Sequence, residues 1–223
     1  IGKEFAEPIL RQVLAATGRA SLANGNLASA LETLKAREFL YETALFPVAA
    51  YAFKHPLTQE VALGSQLQER RRQVHAAVAQ AISATHADKL DEHAALLAHH
   101  SAEAGQALAA AEWHARAATF VGGSDFAEAA RHWQRARELL RGVADDPRVP
   151  VLGANACFRV LGRAFRVGLL AHEAQAVFDE GLDWAARTND ALWAGRLHQA
   201  MSVFEACDNR VDAALRHAAE WER

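Results

Sequence analysis

The sequence predicts an all-α fold with a small β wing near the amino terminus. Of its 223 residues, 51% are hydrophobic and five are proline, and alanine is the most frequent residue. Alanine loses no side-chain entropy on entering a helix, so this composition favours helices. Apolar residues recur at helical spacing along most of the chain, whereas short aromatic runs occur in one region. We therefore expect helices nearly throughout and strands in that region.

The first elements predicted are two helices. Residues 4–16 place Phe5 and Val13 on one apolar face, which indicates a helix. A second helix is predicted over 27–37, and the glycine-containing segment 18–25 between them is predicted to be a loop.

A hairpin follows the two helices. Aromatic runs at 39–41 and 51–53 are separated by a segment that contains Pro47, which predicts a small two-stranded wing. Helix, helix and hairpin in this order indicate a winged-helix unit, and we assign residues 1–83 to it. Pro56 is suited to the first position of a further helix, and Gly64 is expected to interrupt that helix.

Helices fill the rest of the chain. The predicted ranges are 90–104, 106–121, 125–141, 149–166, 169–188, 190–206 and 209–222. Short linkers that contain glycine, proline or Asn-Asp separate these ranges, so consecutive helices are expected to be antiparallel neighbours.

A weak internal repeat runs through this helical part. Ala129, Trp133 and Ala136 recur 45 residues later as Ala174, Phe178 and Gly181, and a third copy lies around Ala214 and Ala218. Helix-pair repeats of about 34 to 47 residues are typical of tetratricopeptide-like solenoids. The sequence therefore predicts a tetratricopeptide-like domain over 84–223, with an irregular helical bundle as the alternative.

Composition excludes several classes of protein. The net charge is −3, with +2 over residues 1–83, which disfavours nucleic acid as a partner. Cys157 and Cys207 lie far apart and form no zinc-binding spacing, which fits a reduced, cytoplasmic setting. No apolar run approaches the roughly 18 residues of a membrane helix, and Ile1 to Phe5 does not resemble a signal peptide.

Several motifs together resemble a known family. Residues 53–62 (FKHPLTQEVA) and 69–82 (ERRRQVHAAVAQAI) resemble the segment after the ATPase core of bacterial STAND-type signalling ATPases. The likeness is to multidomain proteins with a class III adenylate/guanylate cyclase domain, an ATPase domain and tetratricopeptide repeats. Ile1-Gly2-Lys3-Glu4-Phe5 matches the pattern that opens their winged helix. Further similar segments are 38–42, 45–47, 93–105 and 111–118.

The resemblance implies a regulatory fragment without catalysis of its own. The chain has no GxxxxGK[ST] phosphate loop, so no catalytic residue and no cofactor are assigned to it. ATP or ADP and Mg²⁺ are implied for the parent protein. The expected partner is another protein, or an ATPase or cyclase domain of the same chain. Two alternatives stay open: a segment required for cyclase turnover, and the central segment of a large LuxR-type transcription regulator.

His55 is the candidate nucleotide sensor. It directly precedes the helix predicted to begin at Pro56, where a helix amino terminus attracts anions. In STAND proteins a winged-helix histidine contacts the phosphate of bound ADP, and the resemblance implies this role for His55. The Met-His-Asp form of that motif is absent from the sequence. The alternative is a histidine that caps or packs.

A second histidine group raises the question of a metal. His93, His99 and His100 lie near two acidic residues, Glu92 and Glu103. His99 and His100 point about 100° apart around a helix, so the five groups are not expected to converge. We therefore predict no metal site and interpret these histidines as helix–helix contacts.

A basic stripe is the candidate partner-binding surface. Asn155, Arg159, Arg163 and Arg166 recur at spacings of four, four and three on the helix predicted over 149–166. Helices that line the concave face of such arrays bind peptides, so the stripe is suited to an acidic peptide. Gln199 is predicted to join it from the next repeat, and ordinary solvent exposure is the alternative. Arg70, Arg71 and Arg72 are expected to fan around their helix and form ion pairs.

Overall fold

A computed structural model describes residues 2–144 and 146–221 of the chain. The described residues are mostly helical, with eleven α-helices and one small three-stranded sheet. They divide into two compact units, residues 1–106 and residues 107–223. Ile1 of the opening motif and the predicted end of the last helix at residue 222 lie outside the described residues.

The amino-terminal unit contains the sheet and five helices. In chain order its elements are β1 Glu4–Ala6, α1 Glu7–Ala16, a π-helical turn Leu22–Asn26, α2 Leu27–Ala36, β2 Leu40–Ala44, β3 Ala50–Phe53, α3 Pro56–Gly64, α4 Gln68–Thr85 and α5 Ala94–Glu103. The sheet order is β1-β3-β2, with both pairings antiparallel. Leu27 and Leu31 of α2 pack on Leu40 and Tyr51 of the sheet to form a small core.

The predicted helix over 4–16 is wrong at its start, because residues 4–6 form β1. Phe5 lies opposite Tyr51 in the pairing of β1 with β3, and its ring centroid is 6.1 Å from those of Tyr51 and Phe53. Aromatic contacts across the sheet therefore outweigh the helical spacing that Phe5 shares with α1.

The predicted loop over 18–25 is wrong from residue 20 onward. Residues 22–26 form a π-helical turn that continues directly into α2. Ala23 is buried in this turn, and the Arg11 guanidinium donates to its carbonyl oxygen. The contact from α1 satisfies a carbonyl of the widened turn, which the local sequence does not reveal.

The two aromatic runs and the next helix agree with expectation. β2 and β3 pair as a hairpin, and α3 begins at Pro56 and ends at Gly64. Helix α4 then buries Val78 and Ile82, and α5 packs against α4.

The carboxyl-terminal unit consists of three consecutive helix pairs. Its helices are α6 Ala107–Val121, α7 Phe126–Leu140, α8 Arg148–Leu161, α9 Ala171–Ala186, α10 Leu192–Cys207 and α11 Val211–Trp221. α6 packs with α7, α8 with α9, and α10 with α11, and neighbouring pairs also touch. The six repeat residues of the first two copies are buried, and so is Ala214 of the third. A Cβ added at Gly181 would lie 2.7 Å from Cδ2 of Leu197, so the small residue permits close helix approach.

Helix α8 is shorter than predicted. It ends at Leu161, and residues 162–168 form consecutive turns that close at Gly168, which has a φ of 71°. Such a positive φ suits glycine because it has no Cβ. Arg163 and Arg166 of the predicted helical stripe therefore lie on these turns. Within the described ranges, no helix is both long and apolar enough to cross a membrane.

Candidate functional site

The basic surface is built by the last turn of α8 and the turns that follow. Arg159 lies in the last turn of α8, while Arg163 and Arg166 lie beyond it. The Arg163 Nη1 donates to the Arg159 carbonyl oxygen at 3.1 Å, which ties the turns to the helix end. Arg159 and Arg163 thus stay in contact although the helix has ended. We call Arg159, Arg163 and Arg166 the arginine face.

Aromatic rings and one amide hold the guanidinium groups in place. The Cζ atom of Arg159 lies 5.9 Å from the Trp133 ring centroid, and Nε of Arg159 donates to the side-chain oxygen of Asn155 at 3.4 Å. The Cζ atom of Arg166 lies 4.8 Å from the ring centroid of Phe126. Stacking on rings orients a guanidinium group and leaves its edge donors available.

The arginine face carries uncompensated positive charge. Among the described residues, no carboxylate oxygen lies within 4.0 Å of its three guanidinium groups. Burial and, second, the charge of Arg159 lower the pKa of Arg163. Two other arginines of this unit contrast with it. Arg141 pairs with Glu180 at 3.0 Å, and Arg148 pairs with Glu112 at 2.8 Å.

Gln199 does not join the face through any contact found in the described part of the chain. It is exposed on α10 and forms no hydrogen bond with the three arginines. Asn155, in contrast, contacts Arg159 directly.

His55 occupies the N-cap position of α3 with extended backbone, φ −127° and ψ 131°. Its side chain is exposed and makes no capping hydrogen bond. Neither the capping nor the packing alternative therefore describes this residue. The imidazole is accessible at a helix amino terminus, the position where anions bind.

Of the three consecutive arginines of α4, Arg70 and Arg71 have different partners, and the described residues show a predicted ion pair at Arg71 only. Arg70 donates to the Thr17 carbonyl oxygen at 3.1 Å, and Arg71 lies 3.7 Å from Glu103. They fan around α4 rather than forming one basic patch.

Three histidines of the amino-terminal unit converge where α4 crosses α5. His75 projects from α4, and His99 and His100 project from α5. The Nδ1 atoms of His75 and His100 are 3.0 Å apart, and one ligand nitrogen from each of the three rings lies within 4.8 Å of the others. His75 and His100 are buried, whereas His99 is exposed. We call them the three-histidine cluster.

The electrostatics of the cluster favour neutral rings. Burial lowers the pKa of His75, and burial lowers that of His100 to about 3. Of the five groups considered from the sequence, His93 lies instead against His86, with ring centroids 4.1 Å apart. The five groups therefore do not converge, as predicted. His75 was missed because it is 24 residues from His99 in the sequence, and only helix packing brings the two together.

Histidine pairs also recur in the carboxyl-terminal unit. The Nδ1 atoms of His114 and His132 are 2.8 Å apart, and those of His198 and His217 are 2.9 Å apart. The repeat offsets of 45 and 40 residues lead from His132 to Val177 and then to His217. The first and third helix pairs therefore carry a histidine at the same repeat position. These offsets are the sequence signal from which the recurrence of the histidine could be predicted.

The two cysteines have different surroundings. Cys157 is buried in the core of the helix pairs, and burial raises the pKa of its thiol to about 12. Cys207 is exposed at the end of α10. Both are free thiols.

Comparison with protein-family models, with curated proteins and with solved structures finds no significant match to this chain. The resemblance to STAND-type ATPases thus depends on the quoted motifs.

Proposed function

We propose that this chain is a non-catalytic regulatory and protein-interaction segment whose carboxyl-terminal helix pairs bind an acidic peptide. The observation that carries this proposal is the arginine face, in which three guanidinium groups have no carboxylate partner within the described residues. The acidic segment belongs to a partner protein or to an ATPase or cyclase domain of the parent chain.

The chemistry of the face suits carboxylates. A guanidinium group offers a planar fork of donors that matches two carboxylate oxygens, and ring stacking leaves those donors unused. The rings of Trp133 and Phe126 supply this stacking for Arg159 and Arg166. Binding of an acidic side chain would also relieve the repulsion between Arg159 and Arg163.

Fluorescence anisotropy with a labelled glutamate-rich peptide of about ten residues tests the proposal. Arg159 and Arg166 are exposed, and an exposed ion pair contributes up to about 1 kcal/mol, so Arg159→Gln and Arg166→Gln should each weaken binding up to about fivefold. Arg187→Gln is the matched control, because Arg187 stacks on Trp184 outside the arginine face.

The same peptide with glutamine in place of glutamate should not bind. Equal affinity of wild type and both arginine-face variants for the glutamate peptide would refute the proposed surface.

We also propose that the amino-terminal unit relays the nucleotide state of a STAND-type signalling ATPase. Strand β1 precedes two helices and pairs with β3 of the following hairpin, an order consistent with a winged helix. The hairpin and α3 expose Phe46 (89%) and Leu57 (68%). Exposed apolar side chains of this kind suit packing against a further domain. A class III adenylate/guanylate cyclase is the favoured parent, and a large LuxR-type regulator is the alternative.

His55 provides the test of this relay. In the longer protein that contains the ATPase domain, His55→Ala should weaken ADP binding and raise basal output, because the closed ADP state would lose a phosphate contact. Isothermal titration with ADP measures the first effect, with exposed His172→Ala as control. Unchanged ADP affinity together with unchanged basal output would rule out the sensor role.

A further inference from the structure

We propose that the three-histidine cluster binds one divalent d-block cation, with zinc as the ion to test. The site lies in the amino-terminal unit and is separate from the arginine face. It departs from the sequence-based interpretation of His99 and His100 as helix contacts, because His75 supplies a third imidazole from another helix.

Helix geometry explains how adjacent residues of α5 share one site. His99 and His100 point about 100° apart around α5, and His75 of α4 meets both. The ring centroid of His75 is 5.9 Å from that of His99 and 5.1 Å from that of His100. The centroids of His99 and His100 are themselves 5.1 Å apart. The three rings therefore form a compact triangle rather than a chain.

The separations are close to those of a metal site. With zinc–nitrogen bonds of about 2.0–2.1 Å, two ligand nitrogens on a tetrahedral ion are about 3.3 Å apart. The Nδ1 atoms of His75 and His100 are already 3.0 Å apart. The ligand nitrogens of all three histidines lie within 4.8 Å of one another. Movement of the His99 ring towards the other two would therefore complete a set of three zinc ligands. His99 is exposed, and its rotamer can change without disturbing the core.

The donor set selects the class of ion. Three imidazole nitrogens suit zinc, copper, nickel and cobalt, whereas calcium and magnesium prefer oxygen ligands. Three protein ligands leave one position of a tetrahedral zinc ion for water or another ligand. Glu103 lies four residues after His99 on the same face of α5, and it currently pairs with Arg71 at 3.7 Å.

The carboxyl-terminal unit provides internal controls. The pairs His114–His132 and His198–His217 have the same short Nδ1 separation. Within the described residues, however, neither pair brings ligand atoms of three residues within 4.8 Å of one another. If zinc binding requires three histidine ligands, the two histidine pairs should contribute little to the zinc affinity of the chain.

The experiment is a zinc titration of the full chain in competition with a chromophoric chelator. It is performed in a Cys207→Ser background, because the exposed thiol is itself a zinc ligand. We expect one zinc ion per chain. His99→Ala should lower the affinity about tenfold or more, whereas His198→Ala should leave it unchanged. Cobalt should give a visible absorption band in wild type that His99→Ala removes.

A folding control distinguishes a loss of zinc binding from a loss of structure. His99 is exposed, so its substitution should leave the far-ultraviolet circular dichroism spectrum unchanged, and this is checked for each variant. Wild-type zinc affinity in His99→Ala, or an equal loss in His198→Ala, would overturn the site. Absence of stoichiometric zinc binding by wild type would do the same.

Discussion

At the scale of single residues, buried histidines are a recurring feature of this chain. His132 is 9% exposed, and its Nδ1 lies 2.8 Å from Nδ1 of His114. Its Nε2 lies 3.2 Å from a carboxylate oxygen of Glu128. One ring nitrogen of the pair must donate and the other accept, so at least the accepting ring must be neutral.

His132 should make the stability of the carboxyl-terminal unit depend on pH. Burial lowers its pKa below the ordinary value of 6.5, Glu128 opposes this shift, and Arg131 adds to it. Below about pH 6.5 the unfolded chain therefore binds more protons than the folded chain, and the free energy of unfolding should fall as pH decreases. His132→Gln should reduce this slope between pH 7 and 5.

Tryptophan fluorescence during urea unfolding measures the effect, since all five tryptophans lie in the carboxyl-terminal unit. Exposed His172→Gln is the control and should retain the wild-type slope. Parallel pH profiles for wild type and His132→Gln would show that His132 does not contribute to the dependence.

At the scale of elements, small residues determine how closely the helix pairs approach. A Cβ at Gly153 would lie 2.7 Å from the Trp184 ring, and one at Gly181 would meet Leu197 at the same distance. Gly181 belongs to the predicted repeat of small and aromatic residues, whereas Gly153, Trp184 and Leu197 do not. The six carboxyl-terminal helices were predicted within a few residues, except at the end of α8.

The elements that were wrongly predicted depend on partners distant in the sequence. Residues 4–6 form a strand because Phe5 pairs with Tyr51, some 46 residues later. The π-helical turn depends on Arg11 reaching the carbonyl of Ala23 from another helix. Hydrophobic periodicity describes one segment at a time, so it cannot report either contact.

The candidate sites also depend on contacts that the local sequence pattern does not reveal. Arg159, Arg163 and Arg166 were selected by helical spacing, yet Arg163 and Arg166 lie on turns after α8. Arg159 and Arg163 are nevertheless in contact, because the Arg163 side chain bonds to the carbonyl oxygen at the helix end. His75 has no local signal that links it to His99, so only the packing of α4 on α5 identifies the three-histidine cluster.

At the scale of the whole molecule, each compact unit has a core of its own. Leu27, Leu31, Leu40 and Tyr51 belong to the amino-terminal core, whereas the large cluster around Trp133 and Leu197 belongs to the helix pairs. The units divide after residue 106, while the predicted domain boundary follows residue 83. The two divisions differ in where they place α5, which packs on α4 and buries Leu97 completely.

Fragments distinguish these two divisions. Residues 107–223 should unfold in one cooperative thermal transition, because the helix pairs retain their core. Residues 84–223 should unfold at nearly the same temperature but bind a dye for exposed apolar surface, since α5 loses α4 and uncovers Leu97. Circular dichroism and dye fluorescence measure the two effects, with residues 1–106 as the matching fragment that should bury α5. If 84–223 melts several degrees higher than 107–223 and binds no dye, α5 belongs with the helix pairs and the boundary after residue 83 is correct.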